Sequence, residues 1–168
     1  MQLSTRGRYA VMAMLDLAEL SKNRDTPVTL AEIAERQMIS LSYLEQLFAK
    51  LRKSGVVESV RGPGGGYRIA KPYNAVWLSD IIGAVDEIID ATRCGEPERK
   101  SPRQGHGCIA GRKCNTHDVW SALGHHVEQF MRRVNIQMVL DGEITHDFSM
   151  LGAHDEEIGD PILVKLNA

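Results

Sequence analysis

The chain has 168 residues, 43% of them apolar, and a formal net charge of −2. This size allows one good core, or one small core plus an extended helix. No stretch approaches the roughly 20 consecutive apolar residues of a membrane span, and no secretory signal is recognisable, so we expect a cytoplasmic protein with no membrane partner.

The charge is unevenly distributed along the chain. Residues 1–71 hold 11 Lys and Arg against 7 Asp and Glu, which makes this part mildly basic. Residues 141–168 hold 7 acidic residues against one lysine and show no sustained periodicity, so we expect an acidic, flexible tail. The asymmetry is consistent with an N-terminal domain that faces phosphates, although it does not establish one.

Three helices are predicted in the first third of the chain. Residues 3–21 carry apolar residues at helical spacing, and Thr29 with Glu32 forms a capping box at the start of a second helix. A third helix is predicted over 41–54, where two serines compete as the N-cap. Its apolar positions form one stripe at helical spacing, namely Leu44, Leu47, Phe48 and Leu51.

A β-hairpin is predicted after these helices. Segments 56–61 and 66–70 are short and flank the sequence Gly62-Pro63-Gly64-Gly65. Proline cannot donate to a strand ladder and glycine accepts positive φ, so this sequence marks the tip of the hairpin. Three helices followed by a hairpin predict a winged helix-turn-helix domain over residues 1–73.

After the hairpin, two further helices are predicted, one on each side of a polar loop. A fourth helix over 76–89 leads into a loop that contains the cysteines, and together they form a connecting region over 74–114. A long helix, capped by Asn115, is predicted over 115–140, ahead of the tail at 141–168. The expected fold is therefore mainly α, with a small β-hairpin wing and a long dimerisation helix.

The long helix carries an apolar stripe, which must be buried against another surface. Its positions recur every three or four residues, at Leu123, Val127, Phe130, Val134 and Met138. The rest of the chain offers little core to cover this stripe, so we expect a partner helix and a homodimer. The alternative is that the stripe packs back onto the chain's own N-terminal domain.

The third helix is placed to read DNA. In a helix-turn-helix, the second helix of the motif enters the major groove, led by its N-terminal residues. Burying the stripe leaves Ser42, Glu45 and Gln46 outward; glutamine pairs with adenine, and glutamate accepts from cytosine while repelling phosphate. Arg61 and the backbone of Gly62-Pro63-Gly64 suit a minor groove or a line of phosphates. Alternatively, this is an ordinary solvated helix face beside a tight turn.

All three cysteines, Cys94, Cys108 and Cys114, fall in one short window, and His117 follows three residues later. An odd number of thiols in a reducing compartment argues for metal or redox chemistry and against a disulfide framework. Structural zinc sites use cysteines two to four residues apart, whereas thirteen and five residues separate the cysteines here. Zinc is the alternative to an iron–sulfur cluster, which thiolates and imidazole also hold.

Four strings in this sequence closely resemble the IscR family of iron–sulfur cluster regulators, which are winged-helix transcription factors. The strings are RGRYAVMAMLDLA, ISLSYLEQLFAKLRKSG, RGPGGGYRIA and GCIAGRKCNTHDVW. The resemblance is dense over the first 90 residues or so and fades after about residue 140. It implies operator contacts by residues of the third helix and the wing, namely Ser40, Ser42, Tyr43, Glu45, Gln46 and Arg61.

The resemblance also implies a two-iron, two-sulfur (2Fe-2S) cluster held by Cys94, Cys108, Cys114 and His117. A histidine ligand makes such a site less anionic and the cluster easier to lose. In the family pattern five residues separate the first two cysteines, whereas thirteen do here, which leaves room for His106 to compete as the fourth ligand. Loop-closure entropy rises slowly with length, so ligation stays feasible.

The sequence thus predicts a homodimeric, cluster-binding transcriptional regulator of iron–sulfur assembly genes that binds double-stranded DNA at a palindromic operator. The cluster source is expected to be an iron–sulfur assembly scaffold. Rival interpretations are a nitric-oxide or redox sensor of the same family, an iron–sulfur electron-transfer or carrier protein, and a cluster-free, zinc-binding DNA-binding protein. No activated nucleophile or carboxylate pair marks a catalytic site, so we do not expect an enzyme.

Overall fold

The computed structural model describes residues 4–22, 24–87 and 115–144. These residues form helices α1 Thr5–Ser21, α2 Leu30–Gln37, α3 Leu41–Lys53, α4 Leu78–Ala84, α5 His117–Arg133 and α6 Ile136–Leu140, a 3-10 helix Tyr73–Ala75, and strands β1 Val57–Val60 and β2 Gly66–Ile69. The predicted cysteine loop and the predicted tail from residue 145 onward lie outside the described residues. The predicted fold class, mainly α with a β-hairpin wing, is confirmed.

The first three helices pack around one apolar core. The predicted stripe of α3 is buried, because its four side chains are at most 2% exposed: Leu44, Leu47, Phe48 and Leu51. One ion pair in this core involves a buried carboxylate. Asp16 Oδ1 of α1 accepts a hydrogen bond from Arg36 Nε of α2 at 2.9 Å. This ion pair joins α1 to the last turn of α2, and losing Arg36 would leave the buried Asp16 carboxylate without its cation.

Side-chain caps set the start of α1 and α2. Ser4 accepts a hydrogen bond from Arg6 N at the start of α1. The predicted capping box of α2 is present, with Glu32 N donating to Thr29 Oγ1 at 3.3 Å and Thr29 N donating to Glu32 Oε2 at 2.8 Å. Ser40 occupies the N-cap position of α3, but its side chain makes no capping hydrogen bond.

The wing is an antiparallel hairpin whose turn depends on glycine. Val57 of β1 lies opposite Ile69 of β2. The turn passes through Gly62 and Gly64 at φ of 101° and 74°, a region that side-chain-bearing residues rarely adopt. Val28, in the loop before α2, forms an isolated antiparallel β-bridge with Tyr67 of β2. This bridge connects the wing to that loop.

The long helix predicted over 115–140 is two helices in the structure. α5 begins at His117 and Thr116 occupies its N-cap position, so Asn115 is not the cap. α5 ends at Arg133, and α6 follows after a two-residue break. The prediction was therefore wrong about both the start of the helix and its continuity.

A β-bridge to the segment before α4 explains the break. Ile136 N donates to Val76 O at 3.0 Å, and Leu78 N donates to Val134 O at 2.9 Å. These bonds replace the helical hydrogen bonds that are lost at the break. In this arrangement Val134 and Ile136 are buried, with 1% and 0% of their surface exposed. The same bridge delays the start of α4 to Leu78, two residues later than predicted.

The apolar stripe predicted along this region divides into two parts. Phe130 and Val134 pack against the chain's own core, as the alternative interpretation expected. Val119, Trp120 and Leu123 stay 62%, 44% and 39% exposed. The apolar surface of α5 that is open to a partner therefore lies in its first two turns.

Candidate nucleic-acid interface

The exposed face of α3 carries the polar side chains predicted there. Ser42, Glu45 and Gln46 are exposed on the side opposite the buried stripe, and Ser40 is exposed just before the helix. Ser42 and Gln46 are four residues apart and so lie on the same side of α3. A hydroxyl, a carboxylate and an amide at the start of such a helix are suited to recognising base edges.

Tyr43 differs from these neighbours because it is half-buried. Its ring meets the ring of Tyr9 edge-on, with centroids 6.1 Å apart and an interplanar angle of 82°. Such aromatic pairs stabilise beyond their buried area. Tyr43 therefore fixes the start of α3 against α1 and offers only part of its surface to a ligand.

The wing tip is exposed at every predicted position, namely Arg61, Gly62, Pro63 and Gly64. Arg52 Nη1 donates to Ser59 Oγ at 3.4 Å, which links the last turn of α3 to β1. The wing is therefore held to α3 by a side-chain contact as well as by the chain between them. Arg61 supplies an exposed cation beside a turn whose backbone is free of bulky side chains.

Two carboxylates that bond to neighbouring segments of the DNA-binding region, Glu32 and Asp86, have lowered pKa values. The guanidinium of Arg24 is the first cause of the low pKa of Glu32, about 2, followed by bonds from Thr29. Lys50 Nζ donates to Asp86 Oδ2 at 2.7 Å, and this bond lowers the pKa of Asp86. The first pair closes the start of α2, and the second ties α3 to the segment after α4.

Sequence reasoning missed two exposed apolar side chains at the leading end of α3. Met38 is 91% exposed and Leu41 is 43% exposed. Leu41 stands three residues before Leu44 and so continues the buried stripe by spacing, but it is the first residue of the helix and stays at the surface. Met38 has a φ of 55°, and no apolar periodicity reveals that conformation.

Of the four predicted cluster ligands, only His117 belongs to the described residues. It is half-buried at the first position of α5. Cys94, Cys108 and Cys114 lie outside those residues, as does the rival ligand His106. Within 4–22, 24–87 and 115–144, no group of three or more His, Cys, Asp or Glu side chains is arranged to hold a metal ion.

The exposed polar face of α3 and the glycine-rich wing are features of a DNA-binding regulator, and the comparison with known families agrees. Residues 3–142 match the Rrf2 profile, which is described as an iron-dependent transcriptional regulator. The chain belongs to the Rrf2 family. In the same described ranges, no helix of this Rrf2 protein is long and apolar enough to cross a membrane.

Two relatives and two solved structures place the chain within that family. The HTH-type transcriptional regulator IscR of Yersinia pseudotuberculosis is 48% identical over 143 residues, which cover 85% of this chain and 81% of the relative. An HTH-type regulator of Azotobacter vinelandii named ORF2 is 50% identical over 137 residues, 81% of this chain and 77% of that protein.

The solved structures agree in fold. T. potens IscR is 30% identical with a TM-score of 0.64, covering 89% of this chain and 96% of that chain. CymR, the global cysteine regulator of B. subtilis, is 25% identical with a TM-score of 0.63, covering 84% and 98%. This Rrf2 protein is thus an IscR-like, DNA-binding transcriptional regulator and not an enzyme, and the resemblance carried by its sequence motifs is confirmed.

Proposed function

We propose that this Rrf2 protein is a homodimer that holds a 2Fe-2S cluster and regulates iron–sulfur assembly genes according to cluster supply. An assembly scaffold is the proposed source of the cluster. The observation that carries the proposal is 48% identity to an IscR regulator over 85% of the chain. The polar face of α3 and the exposed wing support its DNA-binding part.

The side chains of α3 suit sequence-specific binding. Gln46 presents a donor and an acceptor together, which matches adenine, and Ser42 can bond a base or a phosphate. Glu45 accepts from cytosine and repels phosphate, so it narrows the range of acceptable sites. Arg61 on the wing adds attraction to phosphates or to a narrow minor groove, and such contacts position the protein without reading sequence.

Cys94, Cys108, Cys114 and His117 would hold the cluster, and the chemistry of this donor set fits it. Thiolates are the usual ligands of iron–sulfur clusters, and histidine replaces cysteine in some two-iron sites and raises their potential. His117 begins α5, where backbone N–H groups and the helix dipole favour an anionic group. When bound, the cluster supplies a labile redox group whose presence depends on supply and on oxidants.

Contacts in front of the cysteine loop support a link between that loop and α3. Lys50 of α3 bonds to Asp86, and Ser4 N donates to Glu87 Oε1 at 2.8 Å. Glu87 stands seven residues before Cys94 in the sequence. Cluster binding by the cysteines would therefore act next to a segment that is attached to both α1 and α3.

The exposed apolar residues of α5 support the homodimer. Val119, Trp120 and Leu123 lie within two helical turns, and all are large and exposed. A two-fold axis through this surface would pair it with its own copy. Two α3 helices about 34 Å apart then enter successive major grooves, which requires a palindromic operator.

Anaerobic purification with assays of iron, sulfide and zinc, together with a visible spectrum, tests the cluster directly. We expect about two iron and two sulfide per chain and their loss in Cys108→Ala. His117→Ala should lose cluster, whereas the matched variant His106→Ala should retain it. Zinc without sulfide would establish the cluster-free alternative, and four iron per chain would contradict the 2Fe-2S assignment.

A further inference from the structure

Two exposed apolar side chains stand at the leading end of α3, within an otherwise polar face. Met38 is 91% exposed and Leu41 is 43% exposed, while Ile39 between them is buried. Single exposed apolar residues are ordinary on protein surfaces and need no explanation. Two of them at the start of a DNA-reading helix occupy the place where that helix meets base edges.

Leu41 lies at the border between the buried stripe and the exposed polar face of α3. It is the first residue of α3, and Glu45 lies one turn later on the same side of the helix. Ser42 follows directly and is also exposed. A DNA position that brings Ser42 and Glu45 to the base edges therefore places Leu41 at the border of the same contact area, where its exposed side chain can reach an apolar group in the groove.

The floor of the major groove offers one kind of apolar partner. Guanine, cytosine and adenine present donors and acceptors there, and thymine adds a C5-methyl group. Phosphates give a leucine no favourable contact. We propose that Leu41 reads a thymine methyl group in the operator and that Met38 extends the same apolar contact.

The backbone of Met38 strengthens the argument for its side chain. Its φ of 55° is a left-handed conformation, which glycine adopts without strain and which is unfavourable for a residue with a Cβ. The turn thus keeps a long, flexible apolar side chain despite a conformational cost. Methionine is suited to irregular apolar surfaces because it is unbranched and polarizable.

Deoxyuridine in place of thymine removes only the methyl group and so isolates this contact. Duplexes selected from a random pool by the full-length, anaerobically purified protein provide the probes, each compared with its deoxyuridine counterpart. The wild type should bind the deoxyuridine duplex about fourfold more weakly for each methyl group in contact. Leu41→Ala should lose most of this difference, and Leu41→Met should recover part of it.

Met12→Ala provides a matched control, because Met12 is 39% exposed on α1 and should leave the thymine preference unchanged. Met38→Gly should reduce the preference and raise the melting temperature, since it relieves the left-handed strain. An unchanged ratio in that variant would remove Met38 from the contact. Both duplexes are titrated with one preparation, so the folded fraction cancels from the affinity ratio and the cluster content is the same for both. A wild type without thymine preference, or a Leu41→Ala variant that keeps it, would overturn the proposal.

Discussion

Glu32 closes the start of α2 with its own side chain. Its carboxylate accepts from Thr29 N, Thr29 Oγ1 and Arg24 Nη1, each at 2.8 Å. The Arg24 bond is the largest of the effects that lower the pKa of Glu32 from 4.5 to about 2. The folded state thus favours the ionised carboxylate more than the unfolded state does.

Acid should therefore weaken the fold through Glu32. Because the folded pKa lies below the unfolded one, the stabilisation is complete above about pH 4.5 and is lost as the pH falls toward 2. Urea unfolding at a series of pH values should show a steeper acid loss of unfolding free energy in the wild type than in Glu32→Gln. The side chain is 39% exposed, so solvent screening keeps the difference to roughly 1 kcal/mol or less.

Glu35→Gln serves as the control, because Glu35 is an exposed glutamate on the same helix. Its pH profile should follow that of the wild type. Equal acid slopes for the wild type and Glu32→Gln would show that the capping carboxylate does not govern acid stability.

At the scale of elements, α3 and the wing make different contributions to recognition. Gln46→Ala should cost about 1–3 kcal/mol on a selected operator duplex and little on random DNA, because base contacts specify sequence. Arg61→Ala should weaken both duplexes, because a phosphate contact is independent of sequence. Fluorescence anisotropy titrations at one fixed salt concentration measure both. Equal losses for Gln46→Ala on the two duplexes would exclude it from base reading.

Local signals predicted the DNA-binding unit, whereas contacts between distant segments decided the rest. The capping box at Thr29, the stripe of α3 and the glycine turn each depend on neighbouring residues and were visible in the sequence. The break after Arg133 depends on the β-bridge between Asn135 and Trp77, so the apolar periodicity runs through it unchanged. In the site, periodicity predicted correctly that Gln46 is exposed, but it did not indicate that Leu41 and Met38 are exposed beside it. The cysteine ligands stay predictions.

At the scale of the whole molecule, the division of the apolar stripe determines how dimerisation is tested. Val134 is 1% exposed inside the chain's own core, so Val134→Glu should unfold the domain. Trp120→Glu with Leu123→Glu changes exposed residues and should yield folded monomers. Sedimentation at micromolar concentration, with circular dichroism as the folding check, distinguishes the two results. A folded double variant that stays dimeric would show that this surface of α5 is not the interface.

The dependence of operator choice on the cluster tests the central claim most directly. Cluster-loaded wild type, Cys108→Ala, and Cys108→Ala with Glu45→Ala are titrated anaerobically against duplexes selected by each protein, with Glu45→Ala alone as the control. By resemblance to its family, Cys108→Ala should lose one class of duplex and keep another, and adding Glu45→Ala should restore the lost class because the repulsive carboxylate is gone. Identical affinities of wild type and Cys108→Ala for every duplex would contradict cluster sensing by this protein.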